Sequence, residues 1–585
     1  MTVSEYIFDF FENKNCRDVF MVSGSSAMFL TDALKRNPSL HPICCHHEQA
    51  AAMAADGYGR MEGAPGVCLV TVGPGATNAI TGVAGAYVDS SPMFVISGQA
   101  SSKILQYTIE TGIRQKGTQS INLEHMVSSV TKYFAVVMKA SEIKYHMEKA
   151  YYEATNGRKG PVWLDVPIDI QNQQIPEEME GFQEPELQIN QLSQEEIQQI
   201  KEDIKNSKKP LILAGYGVRS DNAVVLLEQF CNKYQIPVVT SRGGIDVIET
   251  DSQFFVGRPG SYGDRASHFV IQKCDLLIIL GSRLSVSTVG YYPQRFAQCA
   301  KKIMVDIDPK ELNKDDVPIN MKIQSRISNF LNQILYSETS EQEYDRTEWI
   351  RYCKMLKEKY PTVLPEYEKE EEINSYVFSR LLSRSIPDNT NVVVDTGSVC
   401  NIVSQCFEVQ KNQRYIISGG FSCMGFWASA IGVSRVSQGV VAITGDGSAQ
   451  MNIQELATLK YHNLPLKLFI YNNNGYLLIR HNQHNYMEDR FLGVGPDSGL
   501  YIPSFIDVAI AYGIKAVKIS SKEDMESKIS EVLAMEGPVV CEVMVQEFGT
   551  IAPRIASKVM PDGTLKAAEF DDLWPFLDSK ENDNE

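Results

Sequence analysis

Gly445-Asp446-Gly447-Ser448 and, 24 residues beyond Ser448, Asn472-Asn473 each close a short run of aliphatic residues, Gly439 to Gly447 and Leu464 to Asn473. A carboxylate and an amide oxygen are hard donors suited to magnesium, which needs few protein ligands when phosphate oxygens supply the rest. The glycines let backbone N–H groups approach a diphosphate, and a helix that follows adds its positive end. A Gly-Asp-Gly tripeptide by itself also closes hairpins. Two such pieces, each at a strand C-terminal end, point instead to ligand binding, because open α/β sheets bind beyond the carboxyl ends of their strands.

Other segments carry weaker chemistry. His46-His47-Glu48-Gln49-Ala50 leads into an Ala-rich helix, Ala51 to Arg60. A carboxylate against that small, apolar face is expected to be desolvated, which favours its protonated form. Alone, Glu48 also reads as an ordinary helix-terminus carboxylate. Gly73-Pro74-Gly75-Ala76-Thr77-Asn78 is a tight loop between a strand and a helix, and capping at Thr77 is a sufficient account of it. Met424, within Ser418-Gly419-Gly420-Phe421-Ser422-Cys423-Met424-Gly425, reads alone as a core residue, and Gln119 as a surface one.

The elements that must position these residues recur along the chain. Val/Ile/Leu runs bounded by Gly or Pro lie at Gly66–Val72, Pro92–Gly98, Pro210–Gly217, Cys274–Gly281, Lys301–Asp308 and Asn391–Gly397, besides the two above. They have the look of strands buried on both faces of parallel sheets. Helical stretches such as Thr77–Asp89 and Ile453–Tyr461 separate them, so the fold class is α/β, with three doubly wound parallel-sheet blocks. Polar stretches at Pro176–Glu202 and Ser337–Glu372 read as linkers or surface helices between blocks. Gly160–Val166 resembles Gly537–Val543, which hints that the first and third blocks share a fold.

Composition narrows the function classes. A chain of 585 residues is too long for one core and suits three domains. Apolar residues at 43% and charged residues at 22% are ordinary for a soluble globular protein. A net charge of −17 argues against a nucleic-acid partner, since phosphate backbones are held by Lys and Arg. No apolar run approaches the roughly 20 residues that span a bilayer. No secretory signal opens the sequence, and the cysteines form no CxxC pair, so a cytoplasmic protein with reduced thiols is expected.

Gly445 to Tyr476 resembles the diphosphate-binding motif of thiamine-diphosphate enzymes, and the chain from Val19 to about Val545 is similar to acetolactate synthase catalytic subunits. The resemblance implies a pyrimidine-binding domain over 1–175, a central FAD-type domain over 190–336, a diphosphate-binding domain over 373–560 and a tail, 561–585. It places magnesium on Asp446, Asn473 and the carbonyl of Gly475, and the diphosphate near Gly445, Gly447 and Ser448. Glu48 falls on the glutamate that hydrogen-bonds the cofactor's aminopyrimidine and so activates its thiazolium carbon. Gly24, Gly73 and Asn78 fall near the cofactor, as do Gly397, Ser398 and Ser422, with Met424 as the wedge that bends it. Gln119 falls near the reaction centre, and Arg283, Asp306 and Asp308 at the FAD site.

The implied activity is decarboxylation of a 2-oxo acid such as pyruvate and transfer of the two-carbon unit to a carbonyl acceptor, by a homodimer or homotetramer. Three departures bear on it. Ser25 replaces the second glycine of a Gly-Gly loop, Ser398-Val399-Cys400 replaces Gln-His-Gln, and Asn482 replaces an acceptor-pocket tryptophan. The last points to a bulkier or more polar acceptor such as a nucleotide-linked ketosugar. A simple decarboxylase, and a catalytically silent binding or regulatory relative, are the alternatives. Retention of Glu48, Asp446 and Asn473 together speaks against silence.

Overall fold

The computed structural model describes residues 1–185, 191–337, 344–559 and 565–577. They form three six-stranded parallel sheets flanked by helices, plus one short antiparallel pair. In the first sheet the strands lie in the order His41–Cys44, Asp18–Met21, Gly66–Val70, Met93–Gln99, Pro161–Pro167, Tyr133–Val136. In the third the order is Tyr415–Ile417, Asn391–Val394, Val440–Gly445, Leu466–Asn472, Val539–Met544, Lys515–Ile519. Numbered along the chain, both sheets read 2-1-3-4-6-5, so the Gly160 and Gly537 echo marks strands in equivalent places. The middle sheet reads 3-2-1-4-5-6 from Phe255–Gly257 through Val238–Thr240, Pro210–Ala214, Leu276–Leu280 and Lys301–Asp306 to Met321–Gln324.

These orders locate the ligand crevices, because a doubly wound sheet opens where the strand order reverses. In the first sheet that point lies between Asp18–Met21 and Gly66–Val70, so Gly24 and Gly73 follow it. In the third it lies between Asn391–Val394 and Val440–Gly445, so Gly397, Ser398 and Asp446 follow it. In the middle sheet it lies between Pro210–Ala214 and Leu276–Leu280.

The chain packs as two compact units. One comprises Met1–Glu186, Thr390–Val399 and Ile416–Glu547 and holds the first and third sheets; the other comprises Leu187–Asn389, Cys400–Tyr415 and Phe548–Glu585 and holds the middle sheet. Within the first unit, helix Glu48–Glu62 crosses helix Ser429–Arg435 at very short range. A Cβ on Gly57 would lie 2.1 Å from the Ser429 carbonyl oxygen, and one on Gly432 1.8 Å from that of Ala54. Glycine is required at both positions for the contact to form.

The polar stretches between blocks contain packed helices. Gln194–Asn206, opened by a Ser193/Glu196 capping box, buries Ile197, Ile200 and Ile204 in the middle core. Thr347–Lys359 buries Trp349, Cys353 and Leu356. Their apolar residues recur at helical spacing among many charges, so average composition reads as linker while one face is core. Residues 186–190, 338–343, 560–564 and 578–585, which take in parts of both stretches and of the expected tail, lie outside the described residues. No described helix is long and apolar enough to cross a membrane.

Candidate functional site

The Gly445-Asp446-Gly447 and Asn472-Asn473 segments meet because their strands are parallel neighbours, with Gly445 opposite Tyr471. Asp446 is 1% exposed. Its carboxylate accepts N–H groups from Gly447 at 2.6 Å, Gly475 at 2.9 Å and Asn473 at 3.1 Å. Burial pushes this carboxyl up to about 7 against the opposing pull of those backbone bonds. Beside it the amide oxygen of Asn473 is buried with no hydrogen-bond partner. A buried acid next to an orphaned amide oxygen is a poor arrangement for a protein alone and a good one around a cation. Among the described residues no group of three or more His, Cys, Asp or Glu is placed to hold a metal. An ion here would rely on Asp446, neutral oxygens and the ligand's own phosphates, which fits magnesium.

The cradle is shaped by glycines. Gly475 has φ +137°, and a Cβ there would lie 1.9 Å from the Val494 carbonyl oxygen; one on Gly447 would lie 2.0 Å from the Tyr476 ring. Ser448 is buried, and its hydroxyl accepts the Gly425 N–H at 2.8 Å. Its side chain therefore ties the Met424 loop to the Asp446 loop. Ser422 (φ +51°) is exposed, Met424 is partly buried and Gly425 takes φ +83°. Gly397 takes φ +84°, and Ser398 begins helix Ser398–Cys406.

Two residues that the sequence reading left out organise this region. Asp395, fully buried, accepts the N–H groups of Thr396 at 2.8 Å and Phe426 at 3.0 Å and the Thr444 hydroxyl at 2.8 Å. It thus joins three of the loops around the cradle. The Arg480 guanidinium donates to the carbonyls of Asn473 at 3.2 Å, Asn474 at 2.8 Å and Val494 at 3.1 Å, and to that of Glu547. Arg480 sits in the first turn of helix Leu477–Met487, where the helix dipole disfavours a cation. That misplaced charge was the available signal that it is bound elsewhere.

The second cluster lies in the N-terminal part of the same unit. Glu48 opens helix Glu48–Glu62 after the His47 N-cap and accepts the Asn78 amide N–H at 2.9 Å. Gly75 leaves room for it, since a Cβ there would lie 3.3 Å from Glu48 Oε1. Gly73 has φ +62°, and its Cβ would lie 2.1 Å from the Gln119 carbonyl oxygen; Gln119 itself takes φ +61° and is exposed. Gly24 packs against Thr71. Glu48 is partly exposed in this chain, not enclosed as its apolar helix face suggested, because its position at the first turn holds the carboxylate at the helix end.

The middle sheet carries the third group. Gly215, Gly281 and Asp306 sit at the ends of three adjacent strands. A Cβ on Gly215 would lie 2.2 Å from the Gly281 carbonyl oxygen, so the two loops at the switch point touch backbone to backbone. Arg283 is partly buried, Asp306 accepts the Asp308 N–H at 2.9 Å, and Asp308 caps helix Pro309–Leu312 through Lys310 N–H. Asn482 lies exposed on helix Leu477–Met487.

Three parallel-sheet blocks, a glycine-shaped cradle with a buried acid and an orphaned amide oxygen, and a carboxylate beside a glycine loop fit a cofactor-dependent α/β enzyme. The family described as thiamine pyrophosphate enzyme matches in all three parts: its N-terminal TPP binding domain over residues 1–126, its central domain over 197–334 and its C-terminal TPP binding domain over 395–543. Acetolactate synthase isozyme 2 large subunit of Escherichia coli is 31% identical over 541 residues, covering 92% of this chain and 94% of its own. A probable acetolactate synthase large subunit of Methanocaldococcus jannaschii is 30% identical over 608 positions, covering 99% of each. The acetolactate synthase large subunit of Lactococcus lactis is 29% identical over 557, covering 93% of this chain and 92% of its own. The chain belongs to the thiamine pyrophosphate enzyme family, with acetolactate synthase large subunits among its relatives.

Proposed function

We propose that this protein is a thiamine-diphosphate-dependent carboligase that decarboxylates pyruvate or a similar 2-oxo acid and passes the two-carbon unit to a carbonyl acceptor. The observation that carries it is the orphaned Asn473 amide oxygen beside buried Asp446, a pair that a magnesium diphosphate would satisfy. Thiamine diphosphate, when bound, supplies the nucleophilic carbon and the electron sink for decarboxylation. Asp446, Asn473 and the Gly475 carbonyl would hold magnesium, while Gly445, Gly447 and the loops at Gly397–Ser398 and Ser422–Met424 would line the cofactor. Ser448 contributes by holding the Met424 loop. Glu48, oriented by Asn78, would hold and move a proton at the aminopyrimidine ring, with Gly24 and Gly73 near the cofactor and Gln119 near the reaction centre.

The open side of Glu48 and Gln119 suits completion of the site by a second chain, as a homodimer or homotetramer, and reduced cysteines suit the cytoplasm. FAD is assigned to the middle block, with Arg283, Asp306 and Asp308 at its site; the backbone-close loops at the switch point support a dinucleotide there. Domain limits of 1–175, 190–336 and 373–560 accompany this assignment. A polar, hydroxyl-rich acceptor such as a ketosugar nucleotide is proposed over a short alkyl 2-oxo acid on the amide of Asn482, a side chain exposed in the single chain that discriminates acceptors only where a second chain or the acceptor covers it. Mass-resolved products from pyruvate offered with 2-oxobutyrate, with itself and with a ketosugar nucleotide test the whole assignment. A ligation product is expected. Acetaldehyde alone would make the protein a simple decarboxylase, preferential acetohydroxybutyrate would reject the polar acceptor, and no product at all would leave a binding relative.

A further inference from the structure

Helix Glu48–Glu62 is attached along its length to the C-terminal part of its own compact unit. At its far end Arg60, 8% exposed, pairs with Asp56 at 2.7 and 2.8 Å, meets Asp89 at 3.2 Å and donates to the Ile417 carbonyl at 2.8 Å. Asp89 in turn accepts the N–H groups of Gly419 at 3.0 Å and Gly420 at 2.8 Å. Its middle is held by the Gly57 and Gly432 crossing.

Its near end is held by Glu455. This residue is fully buried, and its carboxylate accepts the N–H of His46 at 3.0 and 3.3 Å and of His47 at 3.0 Å. The Thr458 hydroxyl donates to its other side at 2.7 Å and fixes the rotamer. Glu455 lies within a helical run that begins at Asp446, kinks at Asn452 and continues to His462, so the stretch that carries the metal-binding acid also reaches the two residues before Glu48. Every group aimed at this carboxylate is a donor, and two of them are successive backbone amides, which sets the path of the chain and not merely one side chain.

We propose that Glu455 is a positioning residue for Glu48. This rests on the reading of Glu48 given above. The far end and the middle of the helix are fixed without Glu455, so its removal frees the first turn and leaves the helix folded. What moves is the carboxylate that must meet the cofactor's aminopyrimidine, and a misplacement of about 1 Å costs roughly 10²-fold in a positioned proton transfer.

The test uses the full chain reconstituted with thiamine diphosphate and magnesium. Two quantities are read: cofactor affinity, and the rate of hydrogen–deuterium exchange at the thiazolium C2, followed by acid quench and proton NMR. Glu455→Ala is expected to slow exchange roughly 10²-fold with affinity retained. Glu455→Gln is expected to keep it, because the amide oxygen accepts both N–H groups and the amide nitrogen donates to Thr458. Glu455→Asp, which folds with the charge in place but withdraws it by one methylene, falls between. Glu48→Gln is run alongside. Wild-type exchange in Glu455→Ala, or in Glu455→Asp if the alanine variant does not fold, overturns the proposal when Glu48→Gln is slow. A loss in Glu455→Gln as deep as in Glu455→Ala also overturns it, since charge and not position would then matter. Fast exchange in Glu48→Gln removes the Glu48 reading itself, and this inference with it.

Discussion

In strand Pro161–Pro167 the carboxyl of Asp165 is wholly buried, 1% exposed, and accepts the Ser97 hydroxyl at 2.6 Å and the Gln99 amide N–H at 2.8 Å. Burial outweighs those two bonds and raises it from 3.8 to about 7. A carboxyl raised on folding stabilises the fold fully below its unfolded value, and that contribution is lost as pH rises through the folded one. The whole difference is about 4 kcal/mol, of which about 2 kcal/mol falls between pH 5.5 and 8. Asp165→Asn removes the titration while keeping neutral hydrogen bonds. Its amide oxygen accepts from Gln99, and its NH2 donates to the Ser97 hydroxyl, which also accepts the Trp163 indole N–H at 2.8 Å. The variant is therefore expected to gain about 2 kcal/mol on wild type as pH goes from 5.5 to 8. Hydrogen exchange of peptides over 93–99 and 161–167 reads the local opening energy, which avoids treating a multidomain chain as two-state. The same Gln99 amide donates to the Ile121 carbonyl at 3.0 Å, two residues beyond Gln119, so the Gln119 segment should loosen with the strand at high pH. A variant-to-wild-type difference that is flat across this range would refute the argument.

Asp446→Ala should weaken retention of thiamine diphosphate with magnesium while leaving fold and middle block intact, measured by binding of each ligand separately; unchanged affinity would remove Asp446 from the metal site. Arg480→Met leaves four backbone carbonyls without this donor and should cost about 10- to 100-fold in magnesium affinity, as loss of an outer partner usually does. Isothermal titration with magnesium at saturating cofactor reads this, and wild-type affinity would show that the loop holds its shape unaided. Purified protein should be yellow and release FAD on denaturation, and flavin removal should lower the melting temperature by mass action. A colourless, fully active preparation with no response to added FAD would count against flavin in the middle block.

The strands with both faces buried were legible because nothing competes with an aliphatic run bounded by Gly or Pro. Pro210–Ala214, Leu276–Leu280 and Val440–Gly445 fall within the stretches expected of them. Short strands with polar residues were not: His41–Cys44 has an exposed histidine and cysteine at an edge, and Lys515–Ile519 carries two lysines. Helices were among the readings of the polar stretches, but the core-facing side of Gln194–Asn206 was hidden by its charges, since three buried isoleucines are enough to dock it and too few to shift average polarity. Strand order could not be read from local pattern at all, yet it decides which strand ends face a crevice.

The candidate site divides the same way. Asp446 and Asn473 were legible because their chemistry and their place at strand ends coincide, so local spacing carries the information. Asp395, Glu455 and Arg480 carry charges as conspicuous as Asp446, but each acts on backbone groups far away in sequence: Glu455 on His46 and His47, Arg480 on Val494 and Glu547. No motif marks such a residue, because any segment supplies N–H and C=O groups. What betrays it is a cost: a charge fully buried, or a cation at a helix start, that must be offset by partners not visible nearby. Asp395 follows Val394 at the end of a buried strand and Glu455 precedes buried Leu456, so both are charges beside apolar residues. Read that way, Asp395, Glu455 and Arg480 are buried charges that hold chain segments around the candidate site, while the contacts proposed for the cofactor and its metal come from glycines, amides and two acids, Glu48 and Asp446.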